Sequence, residues 1–152
     1  MSVCTFLAAD IPLKTVSPLQ EYPVNFNIDE GTVYDGDADD NFFLYPFADV
    51  TDYSKKSYAV QLEWNYYTEG RAKKIVGYIK EVLLITDELE LWHAWMPVYE
   101  EYEDSPIIKK KEIAIAELTV ELIKEWDELE IWNHPDKNYP DRPSFYCLTI
   151  RR

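Results

Sequence analysis

Hydrophobic and polar residues alternate with a period of two along several segments of the chain. This alternation is typical of β-strands that bury one face. It predicts strands at residues 3–8, 24–28, 32–34, 42–45, 58–64, 89–95, 107–116 and 144–150. Residues 29–31 (DEG) join the second and third segments. Because glycine adopts the positive φ that hairpin turns require, we expect a β-hairpin there.

Two segments change to the helical period of 3.6 residues. From Glu69 onward, apolar residues recur three and four positions apart, while lysines and glutamates occupy the opposite side. The apolar stripe consists of Ala72, Ile75, Val76, Ile79, Val82 and Leu83. A second helix is predicted at residues 118–126.

Each predicted helix is followed by nearly the same hexapeptide, DELELW at residues 87–92 and DELEIW at residues 127–132. If both form strands, each turns leucine or isoleucine to one side of the sheet and glutamate with tryptophan to the other. His93 continues the apolar side of the first copy. We interpret the repeat as two equivalent helix-to-strand units.

The order of these elements predicts the fold class. From Tyr58 onward it reads strand, helix, strand, strand, helix, strand, which is the ferredoxin-like βαββαβ pattern. We therefore expect an α+β protein with a ferredoxin-like core at about residues 58–132, extended by N-terminal strands and a C-terminal strand. Since no linker-like stretch divides the chain, residues 1–152 are expected to form a single domain.

Composition and charge narrow the possible partners. With 47% hydrophobic residues the chain is too apolar for intrinsic disorder. The formal net charge of −14 repels nucleic-acid phosphates and anionic membranes, so we expect neither as a partner. The chain has neither a secretory signal pattern nor a run of 18 apolar residues, which predicts a cytoplasmic protein.

The glutamate side of the predicted sheet is the candidate binding surface. If the helices cover the opposite side, this side presents carboxylates beside indole rings. A guanidinium group accepts such surroundings well, because it bonds a carboxylate bidentately and stacks on a ring. We predict that a basic protein partner binds here, through Glu63, Glu88, Glu90, Trp92, Glu128, Glu130 and Trp132, with Gln61 and Glu112 beside them.

An alternative arrangement of the same face has no binding role. Residues 1–57 are long enough to lie across it. The tryptophans would then form a second core and the glutamates a solvated rim. Measuring the exposure of Trp92 and Trp132 distinguishes the two arrangements.

A run of acidic residues at 35–41 (DGDADDN) resembles the start of a calcium-binding loop. Counted from Asp35, however, position six is Asp40 instead of glycine, and position twelve is Pro46 instead of glutamate. We therefore expect a solvated turn and predict no metal and no cofactor.

The residues available for catalysis are Cys4, Cys147, His93, His134 and many carboxylates. Their spacing matches no catalytic motif, and four glycines are too few for a phosphate-binding loop. The cysteines lie in apolar strand-like runs and are expected to be buried, and His93 is expected to be a hydrogen-bonded core residue. The sequence therefore favours a protein that is not an enzyme, and a metal-independent enzyme using Cys4 or His93 remains as a third alternative. The second alternative is a small-molecule pocket between the sheet and the N-terminal segment, lined by Tyr66, Tyr67, Tyr99, Tyr102 and the tryptophans.

Segments 34–41, 69–75 and 139–147 resemble those of a family of small, acidic, uncharacterised bacterial proteins, and this resemblance implies no activity. In size and acidity the chain is also similar to bacterial immunity proteins, which neutralise a toxin domain. Lys109, Lys110 and Lys111 lie on a predicted strand and either protect a sheet edge or belong to a dimer contact, so both monomer and dimer remain open. We predict an acidic binding protein.

Overall fold

The alternating segments form eight strands in a computed structural model, which describes residues 2–17, 25–34, 40–64, 66–96, 107–131, 138 and 140–152. The elements are β1 (Ser2–Ala9), β2 (Asn25–Asn27), β3 (Thr32–Tyr34), β4 (Phe43–Pro46), β5 (Tyr58–Glu63), α1 (Glu69–Val82), β6 (Glu88–Met96), β7 (Ile108–Ala114), α2 (Val120–Asp127) and β8 (Phe145–Arg151). Each of them overlaps a segment that the sequence pattern predicts.

Six strands form one sheet in the order β4-β5-β1-β6-β8-β7. In its centre, Leu7 of β1 lies opposite Val60 of β5 and opposite Leu91 of β6. Neighbouring strands are antiparallel except β7 and β8, which are parallel. The protein therefore has a mixed six-stranded sheet with two helices.

Both helices pack on one face of the sheet. Thr68 and Thr119 begin α1 and α2, and each side-chain oxygen accepts a backbone N–H three residues later, at 3.1 Å. The predicted stripe of α1 lies in this larger core with Leu7, Leu89 and Leu91. From α2, Ile123 and Trp126 join the same core.

The opposite face of the sheet carries a second core. Alternation turns Phe6 of β1, Trp92 of β6 and Phe145 of β8 to this side. The chain between β4 and β5 lies over these rings, including a short 3₁₀ helix (Ala48–Asp52). We call residues 47–57 the covering segment. Its residues Phe47 and Val50 are buried in this second core, and its Tyr53 packs against the same cluster.

The strand order corrects the ferredoxin-like prediction. From β5 to β8 the element order is strand, helix, strand, strand, helix, strand. A ferredoxin-like sheet would pair the first strand of this series, β5, with the third, β7, whereas here β1, β6 and β8 lie between them. The physical reason is β1 itself. Phe6 and Leu7 point to opposite faces and are 0% and 1% exposed, and only a central strand buries both faces.

The second hexapeptide does not form the predicted strand. Its first residue, Asp127, is the last residue of α2, and Glu128 is the C-cap of that helix. Residues 129–131 follow without strand pairing, and Trp132 lies outside the described residues. In the first copy, by contrast, the helix ends at Val82 and Glu88 already belongs to β6. The repeat is therefore a likeness of sequence without equivalent structure.

The predicted hairpin is confirmed at β2 and β3. Phe26 lies opposite Val33, and Gly31 in the turn has a φ of 63°. A side chain at this φ would be strained, which explains the glycine.

Candidate functional site

Trp92, the central residue of the predicted binding face, is a core residue that is only 2% exposed. Its indole ring stacks on Phe6, with a centroid distance of 5.7 Å and an interplanar angle of 5°. The ring of Tyr53, in the covering segment, meets it edge-on at 6.4 Å. Trp92 therefore fits the arrangement in which part of residues 1–57 covers this face. Its side chain is not accessible to a partner.

The two glutamates beside Trp92 hold the covering segment in place. Glu90 Oε2 accepts hydrogen bonds from Ser54 Oγ at 2.5 Å and from Trp92 Nε1 at 2.8 Å. Glu88 forms ion pairs with Lys56 at 2.5 Å and with Arg151 at 3.3 Å. Both carboxylates are thus engaged within the protein.

Lys56 is the buried cation of this network, and its ammonium group also lies 2.7 Å from Asp10. Burial alone would lower the pKa of Lys56. The hydrogen bonds to Asp10 and Glu88 and their negative charges outweigh burial and raise this pKa above its usual value. Lys56 therefore carries its positive charge near neutral pH in the folded protein.

The other predicted binding residues do not lie together. Glu63 is exposed at the end of β5, which β1 separates from β6. Glu128 and Glu130 are exposed next to Leu129, whose carbonyl contacts His93. His93 belongs to the helix-covered face of β6, opposite to Trp92. Glu128 and Glu130 therefore lie on the other side of the sheet from Glu88 and Glu90.

An aromatic pair bordered by carboxylates does occur at the same end of β5 as Glu63. Trp64 follows β5, Tyr67 precedes the N-terminus of α1, and their rings meet edge-on with centroids 6.2 Å apart. Trp64 Nε1 donates a hydrogen bond to Asp127 Oδ1 at 3.3 Å, which joins the pair to the end of α2. Both rings are half-buried. We call Trp64, Tyr67, Glu69, Glu121, Asp127 and Glu128 the Trp64 site.

The electrostatics of the Trp64 site are strongly negative. The pKa of the Tyr67 hydroxyl is raised, first by burial and then by the charges of four carboxylates, in decreasing order Glu121, Glu69, Asp127 and Glu128. Lys73 forms an ion pair with Glu69 at 2.7 Å and lowers the pKa of that carboxyl through a hydrogen bond and its charge. Carboxylates around half-exposed rings suit a cationic group such as guanidinium.

A narrow crevice borders Trp64, with a volume of about 10 Å³, which is room for one water molecule. Trp64, Asp127 and Trp126 line it. Trp126 is 6% exposed, and its indole N–H has no hydrogen-bond partner among the described residues. A buried donor without an acceptor is costly, so a water molecule bound to this N–H would be favourable.

The sequence pattern did not single out the Trp64 site. Trp64 shares the apolar face of β5, and it does pack against the larger core. Its carboxylate neighbours come from the start of α1 and from both ends of α2. They approach Trp64 only because α2 packs beside α1, a contact that local periodicity does not reveal.

The predicted buried cysteines and core histidine are confirmed. Burial raises the pKa of Cys4 and of Cys147 to about 12, so both remain neutral thiols near pH 7. His93 Nδ1 lies 3.0 Å from the Thr5 hydroxyl, and Nε2 lies 3.1 Å from the Leu129 carbonyl. The hydrogen-bond network thus assigns the ring proton to Nε2. Burial lowers the pKa of His93, although the Leu129 bond and Asp127 oppose it.

A separate apolar cavity of about 280 Å³ opens between the sheet and the N-terminal part of the chain. It is lined by Pro12, Leu13, Pro46, Phe47, Ala48, Val50, Ser57, Tyr58, Ala59 and Val60. Its volume is near the lower end of small-molecule sites. None of the tyrosines predicted for a ligand pocket contributes to it. Tyr99 and Tyr102 lie outside the described residues.

The described ranges contain no group of three or more histidine, cysteine or acidic side chains placed to hold a metal ion. The predicted solvated turn at 35–41 lies mostly outside these ranges, as does His134. Asp40, which is described, pairs with Lys74 at 2.8 Å. No helix in the described part of the chain has the length and apolar character needed to cross a membrane.

Comparison with protein-family models, with curated proteins and with solved structures finds no match to this chain.

Proposed function

We propose that the protein acts by binding a basic protein partner, and that the Trp64 site is the contact surface. Neutralisation of a toxin domain, as by an immunity protein, is one version of this function. The proposal places the protein in the cytoplasm, where two unpaired cysteines stay reduced.

The observation that carries the proposal is the half-exposed Trp64–Tyr67 pair under the charge of four carboxylates. An arginine side chain would bond Asp127 or Glu128 and stack on an exposed part of either ring. The excess of negative charge, −14 overall, would also accelerate encounter with a basic partner.

The test uses a short peptide of alternating arginine and glycine as the probe, titrated calorimetrically at about 0.15 M NaCl, where charges beyond roughly 8 Å are screened. The site variant carries Glu69→Gln, Glu121→Gln, Asp127→Asn and Glu128→Gln. These changes keep side-chain shape, and Asn at 127 still accepts the Trp64 hydrogen bond. At about 0.2–1 kcal/mol for each exposed ion pair, we expect affinity to fall roughly tenfold or more.

The matched control removes the same four charges elsewhere, with Asp29→Asn, Glu30→Gln, Asp49→Asn and Asp52→Asn, all at exposed positions. We expect the control to bind almost as the unchanged protein does. Equal losses in the two variants would mean that only overall charge matters, and the proposed site would be wrong.

A second candidate function, binding of a small apolar ligand, is favoured only by the 280 Å³ cavity beside Phe47 and Tyr58. Its signature would be binding of an uncharged fluorescent apolar dye with an affinity that salt does not reduce, because burial of apolar surface is not screened. Displacement of the dye by the arginine peptide would argue against two separate sites.

A further inference from the structure

The strand β7 forms one edge of the six-stranded sheet. Its only neighbour among the described strands is β8. Six of its seven residues are exposed, and Ile113 is the buried one. An exposed edge presents unpaired backbone N–H and C=O groups, which are a template for a further strand.

The hydrogen bonds show which residues face outward. The Ile107 carbonyl accepts from the N–H of Ser144 and of Phe145, so residue 107 points towards β8. The Ala114 N–H instead donates to the Glu117 side chain at 2.8 Å, on the outer side. Because a strand alternates its hydrogen-bonding direction, the N–H and C=O of Ile108, Lys110 and Glu112 face the open side.

Three consecutive lysines give this edge a charge opposite to that of the whole protein. Lys109 lies 5.6 Å from the ring of Tyr146, on the helix-covered face, while Lys110 shares the other face with Cys147. The one acid within the strand, Glu112, is already paired with Arg151 at 2.8 Å. Within the described residues, no carboxylate forms an ion pair with Lys109, Lys110 or Lys111.

We propose that the open edge of β7 is a docking site for an extended acidic segment of another protein, which adds a strand to the sheet. Backbone bonds to Ile108, Lys110 and Glu112 would supply affinity, and alternating carboxylates would face the lysines on both sides of the sheet. This surface goes beyond the proposed binding at the Trp64 site and selects partners of opposite charge.

The same lysines disfavour the most obvious competitor, a second copy of β7. Two antiparallel copies would bring six lysines to one seam, and like charges directly opposite each other destabilise a strand pair. The lysines thus disfavour pairing of β7 with a second copy and favour pairing with an acidic strand.

The experiment uses a fluorescent heptapeptide, Thr-Val-Glu-Glu-Glu-Val-Thr, with two control peptides. One replaces the glutamates by lysine, and the other keeps the side chains but carries N-methyl groups on the backbone. We expect binding of the first peptide only. Binding of the N-methylated peptide with equal affinity would overturn strand addition, since that peptide cannot donate the backbone bonds.

Two variants of the full chain separate the edge from general charge. The edge variant carries Lys109→Gln, Lys110→Gln and Lys111→Gln, and the matched control carries Lys55→Gln, Lys80→Gln and Lys124→Gln, all at exposed positions. We expect the edge variant to lose roughly tenfold in affinity, as expected for three exposed charge pairs, and the control to lose less than about twofold. Equal losses would overturn the proposal.

Amide hydrogen exchange locates the peptide directly. The N–H groups of Ile108, Lys110 and Glu112 should exchange fast in the free protein and become protected with the acidic peptide, while those of Lys109 and Lys111 are protected throughout. Two results would overturn the proposal. One is unchanged exchange at the outer amides with the peptide bound, and the other is protection of these amides in concentrated protein without peptide, which would mean self-pairing.

Discussion

Ser54 donates a hydrogen bond from its hydroxyl to the Glu90 carboxylate, with 2.5 Å between Oγ and Oε2. The two residues are 36 positions apart in the chain, and their contact closes the covering segment over Trp92. Of the two arrangements that the sequence allows for this face, an open acidic surface and a covered one, the contact belongs to the covered one, in which Trp92 is part of a second core.

The Ser54–Glu90 contact should contribute measurably to stability. A hydrogen bond to a charged acceptor is worth about 1.5–3 kcal/mol, and Ser54→Ala also removes the acceptor of the Lys56 N–H. We expect Ser54→Ala to lower the free energy of unfolding in urea by about 1–3 kcal/mol. The exposed neighbour Ser57 supplies the control, because Ser57→Ala should change it by less than about 0.5 kcal/mol. Similar values for the two variants would contradict this role.

Trp92 should behave as a core residue. Replacing a buried large aromatic side chain by alanine costs about 3–5 kcal/mol, so Trp92→Ala should shift the urea midpoint strongly. Phe26 is an aromatic residue that is 71% exposed, and Phe26→Ala should change stability by less than about 0.5 kcal/mol. A Trp92→Ala variant as stable as the unchanged protein would mean that the covering segment does not pack on this ring.

The lowered pKa of His93 predicts a dependence of stability on pH. The unfolded chain binds a proton near pH 6.5, whereas the folded chain does so only at lower pH. As pH falls below 6.5, the unfolded state therefore gains protons first and the free energy of unfolding decreases. The stability difference between the unchanged protein and His93→Gln should shrink from pH 7.5 to pH 5.5.

Proton NMR gives an independent value for His93. Its ring signal should titrate with a pKa below 6.5, and a His134→Asn variant assigns the two histidine signals. A pKa above 6.5 would show that the bonds with Thr5 and Leu129 do not keep the ring neutral.

The buried thiols predict a loss of stability in alkali. The pKa of Cys4 and Cys147 rises from 9.0 to about 12 on burial, so above pH 9 the unfolded thiols ionise while the folded ones do not. The contribution is complete below pH 9 and is lost as pH rises towards 12. Between pH 8 and pH 10.5, the unchanged protein should lose more stability than the Cys4→Ala/Cys147→Ala variant. Parallel losses would contradict burial of the thiols.

Local periodicity predicted the strands and helices that form, because burial on one face of a strand or helix leaves a repeat in the sequence. It was insufficient for their order in the sheet. Leu7 and Phe6 show that both faces of β1 are buried, but which strand takes the centre depends on all six strands together. The likeness of residues 87–92 and 127–132 misled for a similar reason, since α2 extends into the second copy.

The candidate site was less predictable than the fold. Glu88 and Glu90 have the chemistry expected of a cation-binding surface, but both are engaged within the chain. Glu88 pairs with Lys56 and Arg151, and Glu90 accepts hydrogen bonds from Ser54 and Trp92. Whether a carboxylate faces solvent or an internal lysine depends on how a distant segment folds over it. The Trp64 site likewise combines two segments, residues 64–69 and 121–128, that are far apart in the sequence.

The most direct measurement follows the five tryptophan indole N–H signals by ¹H–¹⁵N NMR during titration with the arginine–glycine peptide. We predict that the Trp64 signal shifts with increasing peptide. The signal of Trp92, whose indole N–H bonds Glu90 beneath the covering segment, should stay in place. A shift of the Trp92 signal with an unchanged Trp64 signal would contradict this prediction and restore the glutamate face of β6 as the binding surface.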